Sequence, residues 1–224
     1  MKTCIVALAD LVAVDRWRVE IFTDVATVGR HKRWPAVRIA ELVKESTEAV
    51  LPDDVRAESV LYIGLENVEP VTGYAVDLLP RPPSSVKSRS KVFRRTQVLY
   101  GRLRPYLRKV FLAAAPFESG ICSTEFLVLD VDPGMAFAEF IRALLASREV
   151  ADQLSRFQIG AALPRVSAKD FLTLKVPLPP LEVQQQWLDS HRKKERAYLA
   201  AKKQVDAFPS LIDEEIEKAL HKAR

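Results

Sequence analysis

The sequence predicts an α+β fold: a globular domain with a small mixed sheet and flanking helices, followed by a long C-terminal helix suited to coiled-coil pairing. Three observations carry this. Short apolar runs punctuated by turn residues fill the stretch from about Val60 to Ala113. A helical period appears between Ala136 and Phe157. After Pro179-Pro180 the composition changes abruptly. The boundary divides the chain into a globular part, 1–178, and a helical part, 179–224.

Taken in order, Ile39 to Val43 reads as a short helix and Pro52-Asp53-Asp54 as a turn. Val60 to Leu65 is apolar and bounded by turn residues, as a short strand is. Val71 to Tyr74 suggests a turn around Gly73, and Pro80 to Ser85 a loop. Val98 to Leu103 and Val110 to Ala113 read as strands, and Ile121 to Leu129 as one long strand closed by Asp132-Pro133-Gly134. Phe137, Phe140, Ile141, Leu144 and Leu145 form the apolar face of a helix expected from about Ala136 to Phe157. Phe171 to Leu178 reads as a last strand.

Residues 181–224 hold no glycine and one proline, Pro209, and are rich in good helix formers. Pro180 and Glu182 suit a helix start. Pro209 is expected to kink the helix or break it in two. Leu188, His191, Tyr198, Val205, Ile212 and Ile216 form an imperfect stripe, with Tyr198, Val205 and Ile212 spaced by seven. That spacing suits a packed helix pair and equally a helix folded back on its own domain.

The chain has 224 residues, 48% hydrophobic, and a net charge of +5, which permits an anionic partner without requiring one. Two cysteines, Cys4 and Cys122, make no disulfide framework and fit a reducing compartment. The apolar run Cys4–Ala9 is too short to span a bilayer, so a cytoplasmic protein without a membrane partner is the expectation. Enzyme signatures are missing. There is no glycine-rich phosphate loop and no glycine-flanked serine elbow. His31, His191 and His221 do not fall at metal-ligand spacing with either cysteine. The carboxylate pairs Asp53-Asp54 and Glu214-Glu215 read as solvated charge. No catalytic residue, metal ligand or cofactor site is assigned to the chain.

The strongest signal lies between Arg81 and Lys109. Arg81, Lys87, Arg89, Lys91, Arg94, Arg95, Arg102, Arg104, Arg108 and Lys109 fall there with no acidic residue among them. Such a stretch repels itself unless an anion neutralises it, and phosphates would do so with release of counterions. If 98–104 is a strand, Tyr100, Arg102 and Arg104 share one solvent face, above a buried face of Leu99, Gly101 and Leu103. Arginine grips phosphate or a guanine edge with two donors. The bland alternative is a solvated basic surface with no ligand.

Five segments, in order, resemble the specificity subunit of Type I restriction–modification systems. They are Tyr62-Ile63-Gly64-Leu65-Glu66-Asn67-Val68 with Thr72-Gly73; Val98-Leu99-Tyr100-Gly101-Arg102-Leu103-Arg104-Pro105-Tyr106-Leu107; Gly120-Ile121-Cys122-Ser123-Thr124-Glu125-Phe126; Gly160 with Pro164-Arg165-Val166-Ser167; and Val176-Pro177-Leu178-Pro179-Pro180-Leu181-Glu182-Val183-Gln184. The resemblance covers roughly residues 33 to 190.

The resemblance implies a target recognition domain up to about residue 178 and a helical spacer and dimerisation region beyond it. It implies a chain that directs adenine methylation and DNA restriction and performs neither. The partners it implies are double-stranded DNA, methyltransferase subunits that hold S-adenosylmethionine, and a motor subunit that cleaves. Family members carry two recognition domains and two helices, so one of each reads as a half subunit, paired with its own copy or with another half, or as a truncated chain. The expected DNA-binding residues are Lys87, Arg89, Lys91, Arg94, Tyr100, Arg102, Arg104, Tyr106, Arg108, Lys109 and Arg165. Base reading is expected between Tyr74 and Thr96 and around Lys32. Trp187, Leu188, Tyr198, Val205, Ile212 and Ile216 are the expected subunit interface. Cys122 and Glu125 are expected to be buried structural residues. Arg165 is expected to touch phosphate or to cap a carbonyl. The alternatives are a recognition module of another modification or defence system and a non-specific basic helical protein.

Overall fold

The computed structural model describes residues 33–157 and 163–222. The chain divides at Leu181 and Glu182 into two units, a mixed α/β unit and a helix. Among the described residues the first unit holds ten strands: β1 Ala36–Arg38, β2 Val43–Ser46, β3 Ala49–Val50, β4 Tyr62–Ile63, β5 Ser90–Phe93, β6 Val98–Gly101, β7 Val110–Leu112, β8 Gly120–Cys122, β9 Phe126–Val131 and β10 Lys175–Pro177. Its helices are α1 Ile39–Leu42, α2 Ala138–Leu145, α3 Arg148–Leu154 and α4 Ala168–Thr173. The second unit is built on α5, Leu181–Lys222.

The strands form three sheets ordered β1-β10, β2-β9-β6-β7 and β3-β5-β8-β4. Every pairing is antiparallel except β4 with β8, so the third sheet is mixed. The α+β expectation with a mixed sheet and a long C-terminal helix therefore holds.

The pair β6–β9 is buried on both faces, and side chains alternate between two cores. Val98, Tyr100, Leu127 and Leu129 enter one core, which is completed by Ile141, Leu145, Val150, Leu154 and Phe171. Leu99, Phe126 and Val128 enter the other, with Ile63, Phe93, Phe111 and Cys122. Strands buried twice read as continuous apolar runs, which is why Phe126-Leu127-Val128-Leu129 shows no polar alternation. Tyr100 meets Phe171 at 4.6 Å between ring centroids, and Phe93 meets Phe111 edge-on at 6.5 Å.

Several expected elements are rearranged, each for a local reason. The predicted helix 136–157 is two helices and a 3-10 turn, Ser155–Phe157. Ser147 restarts it as an N-cap, its hydroxyl accepting from the Val150 amide. The predicted strand from Phe171 is the end of α4, which Ser167 caps at the Asp170 amide; only Lys175–Pro177 is strand. The predicted strand at Val60 shortens to Tyr62–Ile63 before a 3-10 turn at Leu65–Asn67. The predicted strand Ile121–Leu129 breaks at Ser123-Thr124-Glu125, where the chain leaves one four-stranded sheet for the other. Helix α5 runs unbroken through Pro209, which removes a single amide donor from a long ladder. No helix among the described residues is long and apolar enough to cross a membrane.

Candidate nucleic-acid interface

The break at Ser123-Thr124-Glu125 organises the surface around it. Gly101 pairs with Phe126, Tyr100 with Val110, Ile63 with Cys122 and Lys91 with Cys122. These registers bring the loop before β5, the loop between β6 and β7, and the loop after β4 to the same end of the two sheets. The loop before β10 joins them. The Arg104 amide donates to Pro164, the Val166 amide to Arg102, and Leu103 bridges Arg165. Four of the five segments that carried the resemblance meet at this end.

The basic stretch does not act as one patch. Acids from distant parts of the chain pair with four of its ten cations, Lys91, Arg94, Arg95 and Arg102. Lys91 is paired with Glu45 at 2.9 Å, with the two side chains only 14% and 18% exposed. Arg94 forks onto Glu48 at 2.7 and 2.8 Å. Arg95 lies 3.5 Å from Glu118. Arg94 and Arg95 follow Phe93, which pairs with Gly120, so they stand at the opposite end of the sheets. Lys109 donates to the Leu65 carbonyl at 2.6 Å, and burial pushes its ammonium pKa down. The self-repulsion read from the sequence is thus partly relieved within the fold.

Tyr100 is 1% exposed and packs on Phe171, so the predicted solvent face of Tyr100, Arg102 and Arg104 does not exist. Strand β6 ends at Gly101, and the residues beyond it turn away. Burial pushes the Tyr100 phenol well above its usual pKa. Tyr100 and Lys91 therefore leave the solvent-facing group expected to bind DNA, and Arg94 lies away from it.

What faces outward at the loop end is a smaller group. Lys87 and Arg89 are exposed in the segment between the 3-10 turn Pro83–Ser85 and β5, with no acidic partner among the described residues. Arg104 is exposed too. Arg104 and Arg108 both adopt left-handed backbone, φ 50° and 52°, at the two ends of the 3-10 turn Pro105–Leu107. Left-handed conformation costs a non-glycine residue about 1–2 kcal/mol. Between these two arginines Tyr106 is 54% exposed. The Arg108 guanidinium also donates to the Ala146 carbonyl at 3.4 Å. Arg81 lies over the Tyr62 ring at 4.6 Å.

Glu125 is the residue whose role the sequence did not show. It is not a core residue. Arg165 grips it through Nε and Nη2 at 3.0 Å, and Arg102 approaches it at 3.5 Å. Burial raises the carboxyl pKa, but the hydrogen bonds of Arg165 and the charges of Arg165 and Arg102 outweigh it and hold the group below its ordinary value. Arg165 thus caps no carbonyl among the described residues. Cys122 is buried as expected, which pushes its thiol pKa up to about 12.

On α5, Trp187, Tyr198, Val205, Ile212 and Ile216 are exposed, whereas Leu188 is buried. Trp187 stacks on His191 at 4.5 Å. Lys32 and Gly160 lie outside the described residues. No group of three histidine, cysteine or acidic residues able to hold a metal occurs among the described residues.

No protein-family model matches the chain. Among curated proteins it is similar to the Type I restriction enzyme EcoDI specificity subunit of Escherichia coli. Identity is 24% over 151 residues, 67% of this chain and 32% of that protein. Among solved structures it is similar to the HsdS subunit from Thermoanaerobacter tengcongensis, with a TM-score of 0.65 and 27% identity, covering 79% of this chain and 46% of that one. It is also similar to a chain from a structure on complex assembly and conformational transition of the type I R-M system. There the TM-score is 0.63 at 28% identity, covering 78% of this chain and 46% of the other. The chain thus matches less than half the length of each of these relatives. Agreement in both sequence and fold makes the chain a homologue of the specificity subunits of Type I restriction–modification systems.

Proposed function

We propose that this chain reads DNA for a Type I restriction–modification complex and leaves the chemistry to its partners. The observation that supports this most is the convergence of the matching segments on one end of the sheets, where Lys87, Arg89, Arg104 and Tyr106 face outward. Phosphate contacts there would fix the docking register, and the segment around Lys87 and Arg89 would reach base edges. Arg102, Arg108 and Arg165 would add backbone contacts. In this reading residues 33–178 form the recognition domain and α5 is the spacer.

The partners in this reading are double-stranded DNA, methyltransferase subunits carrying S-adenosylmethionine, and a motor subunit that restricts. The work would take place in the cytoplasm. Two copies would pair through Trp187, Tyr198, Val205, Ile212 and Ile216, each reading the same half-site in opposite orientation. Leu188 is left out of that surface because it is buried.

The test is to map adenine methylation across the genome of a host that expresses a compatible methyltransferase subunit, with and without this chain. Methylation of an interrupted inverted repeat, present only with the chain, is the expected result. An asymmetric target would keep the reading role and reject pairing of identical copies. No new methylation, despite a formed complex and intact DNA binding, would reject the restriction–modification setting.

A further inference from the structure

The Arg102–Glu125–Arg165 cluster has a charge arrangement that a merely structural ion pair does not need. One carboxylate meets two guanidiniums, so one positive charge stays uncompensated. Glu125 is the better shielded member, 23% exposed, against 34% for Arg102 and 41% for Arg165. No other acidic side chain reaches either arginine among the described residues. The Arg102 Nε is buried without a hydrogen bond, although it faces the carboxylate. The three side chains also come from three separate segments that meet at the loop end.

We propose that Glu125 is a positioning residue that holds Arg102 and Arg165 as a paired clamp for one phosphodiester of the DNA backbone. The proposal rests on the DNA-reading function above and assigns one contact within it. A phosphodiester carries one negative charge, which balances the cluster. Arginine offers a rigid planar fork, so a carboxylate gripping one edge fixes the direction of the other edge. Orientation set before binding lowers the entropy lost when the contact forms.

Simple electrostatics predicts the opposite effect of the decisive substitution. Removing a negative charge from a DNA-facing surface should tighten binding. If Glu125 aligns the clamp, Glu125→Gln weakens binding although the surface becomes more positive.

The experiment is fluorescence anisotropy of the full chain with a random-sequence duplex, because phosphate contacts do not depend on sequence. Binding is measured between about 50 and 200 mM salt, where one phosphate contact changes affinity by about 3.5-fold at a slope of about 0.9 per phosphate. Glu125→Gln is expected to bind about tenfold more weakly at the lower salt and to lose about one phosphate from the slope. Equal or tighter binding, or an unchanged slope with only a lower melting temperature, would overturn the proposal. Should Glu125→Gln fail to fold, Arg165→Lys carries the test, since it keeps the charge and loses the fork. A lysine variant that keeps the wild-type slope overturns the clamp; one that loses about one phosphate supports it. Failure of the unsubstituted chain to bind any duplex would instead remove the DNA-reading proposal, and the clamp with it.

Discussion

Replacing Lys91 and Arg104 by alanine, one at a time, should separate two kinds of cation that look identical in the sequence. Lys91 sits 2.9 Å from Glu45 with both side chains largely shielded from water. Breaking a fully buried pair by removing one partner costs about 3–5 kcal/mol, because the other charge is stranded. Here some water still reaches both groups, which reduces the cost to about 2 kcal/mol. For a chain of this length, about 2–4 °C of melting temperature is lost per kcal/mol, so Lys91→Ala should melt about 4–8 °C lower. Its DNA salt slope should not change, since the ammonium is already occupied. Arg104 is exposed and without an acidic partner among the described residues. Arg104→Ala should therefore lower the slope by about 0.9, the value of one phosphate. Its melting temperature should hold, because alanine accepts the left-handed backbone no better than arginine does. Circular dichroism melting and anisotropy titrations in salt measure both quantities. If Lys91→Ala loses slope and keeps its melting temperature, the division of cations proposed here is wrong.

Three further outcomes are expected. Glu125 has a lowered folded-state pKa, so its stabilisation is complete above the unfolded value of about 4.3 and is lost as pH falls through the folded one. Denaturant unfolding between about pH 6 and 3 should show that loss in the wild type and a shallower one in Glu125→Gln; identical pH dependence would contradict it. Cys122 is buried with its thiol pKa raised to about 12, so maleimide should leave it unmodified at about pH 8 until denaturant is added. Peptide mapping by mass spectrometry reads this directly, and labelling of the native chain at Cys122 would count against the second core as drawn. Gly73 has φ +69°, and a Cβ there would lie 1.9 Å from the Val110 carbonyl oxygen. Gly73→Ala should cost at least about 2 kcal/mol, visible as a melting temperature several degrees lower, and an unchanged melting temperature would refute the close approach.

The sequence showed most of what is local. The helix at Ile39, the turn at Asp132-Pro133-Gly134 and the change of character after Pro180 depend on neighbouring residues and could be read from them. What it hid was long-range. Glu45 and Glu48 lie 46 residues from the cations they neutralise, and Glu125 lies 40 from Arg165. No local pattern marks those partners, so a stretch that reads as uniformly basic is divided by the fold into paired and free cations. The error at Tyr100 has a related cause. The alternation Tyr100-Arg102-Arg104 suggested one wet face, yet the strand stops after Gly101 and both of its faces are dry. A tyrosine at that position is equally compatible with a half-buried strand and a doubly buried one.

The double burial of β6 and β9 also bears on how such a domain can change its target. Because the strand pair is a wall common to both cores, its residues are constrained from two sides and have little freedom to drift. Among the loop-end segments, residues 84–89 contribute no side chain to either core. A substitution or short insertion between Ser84 and Arg89 alters what is presented to a ligand without repacking either core. If the chain reads DNA as proposed, a new specificity could arise at that rim while the wall carries the inherited fold unchanged.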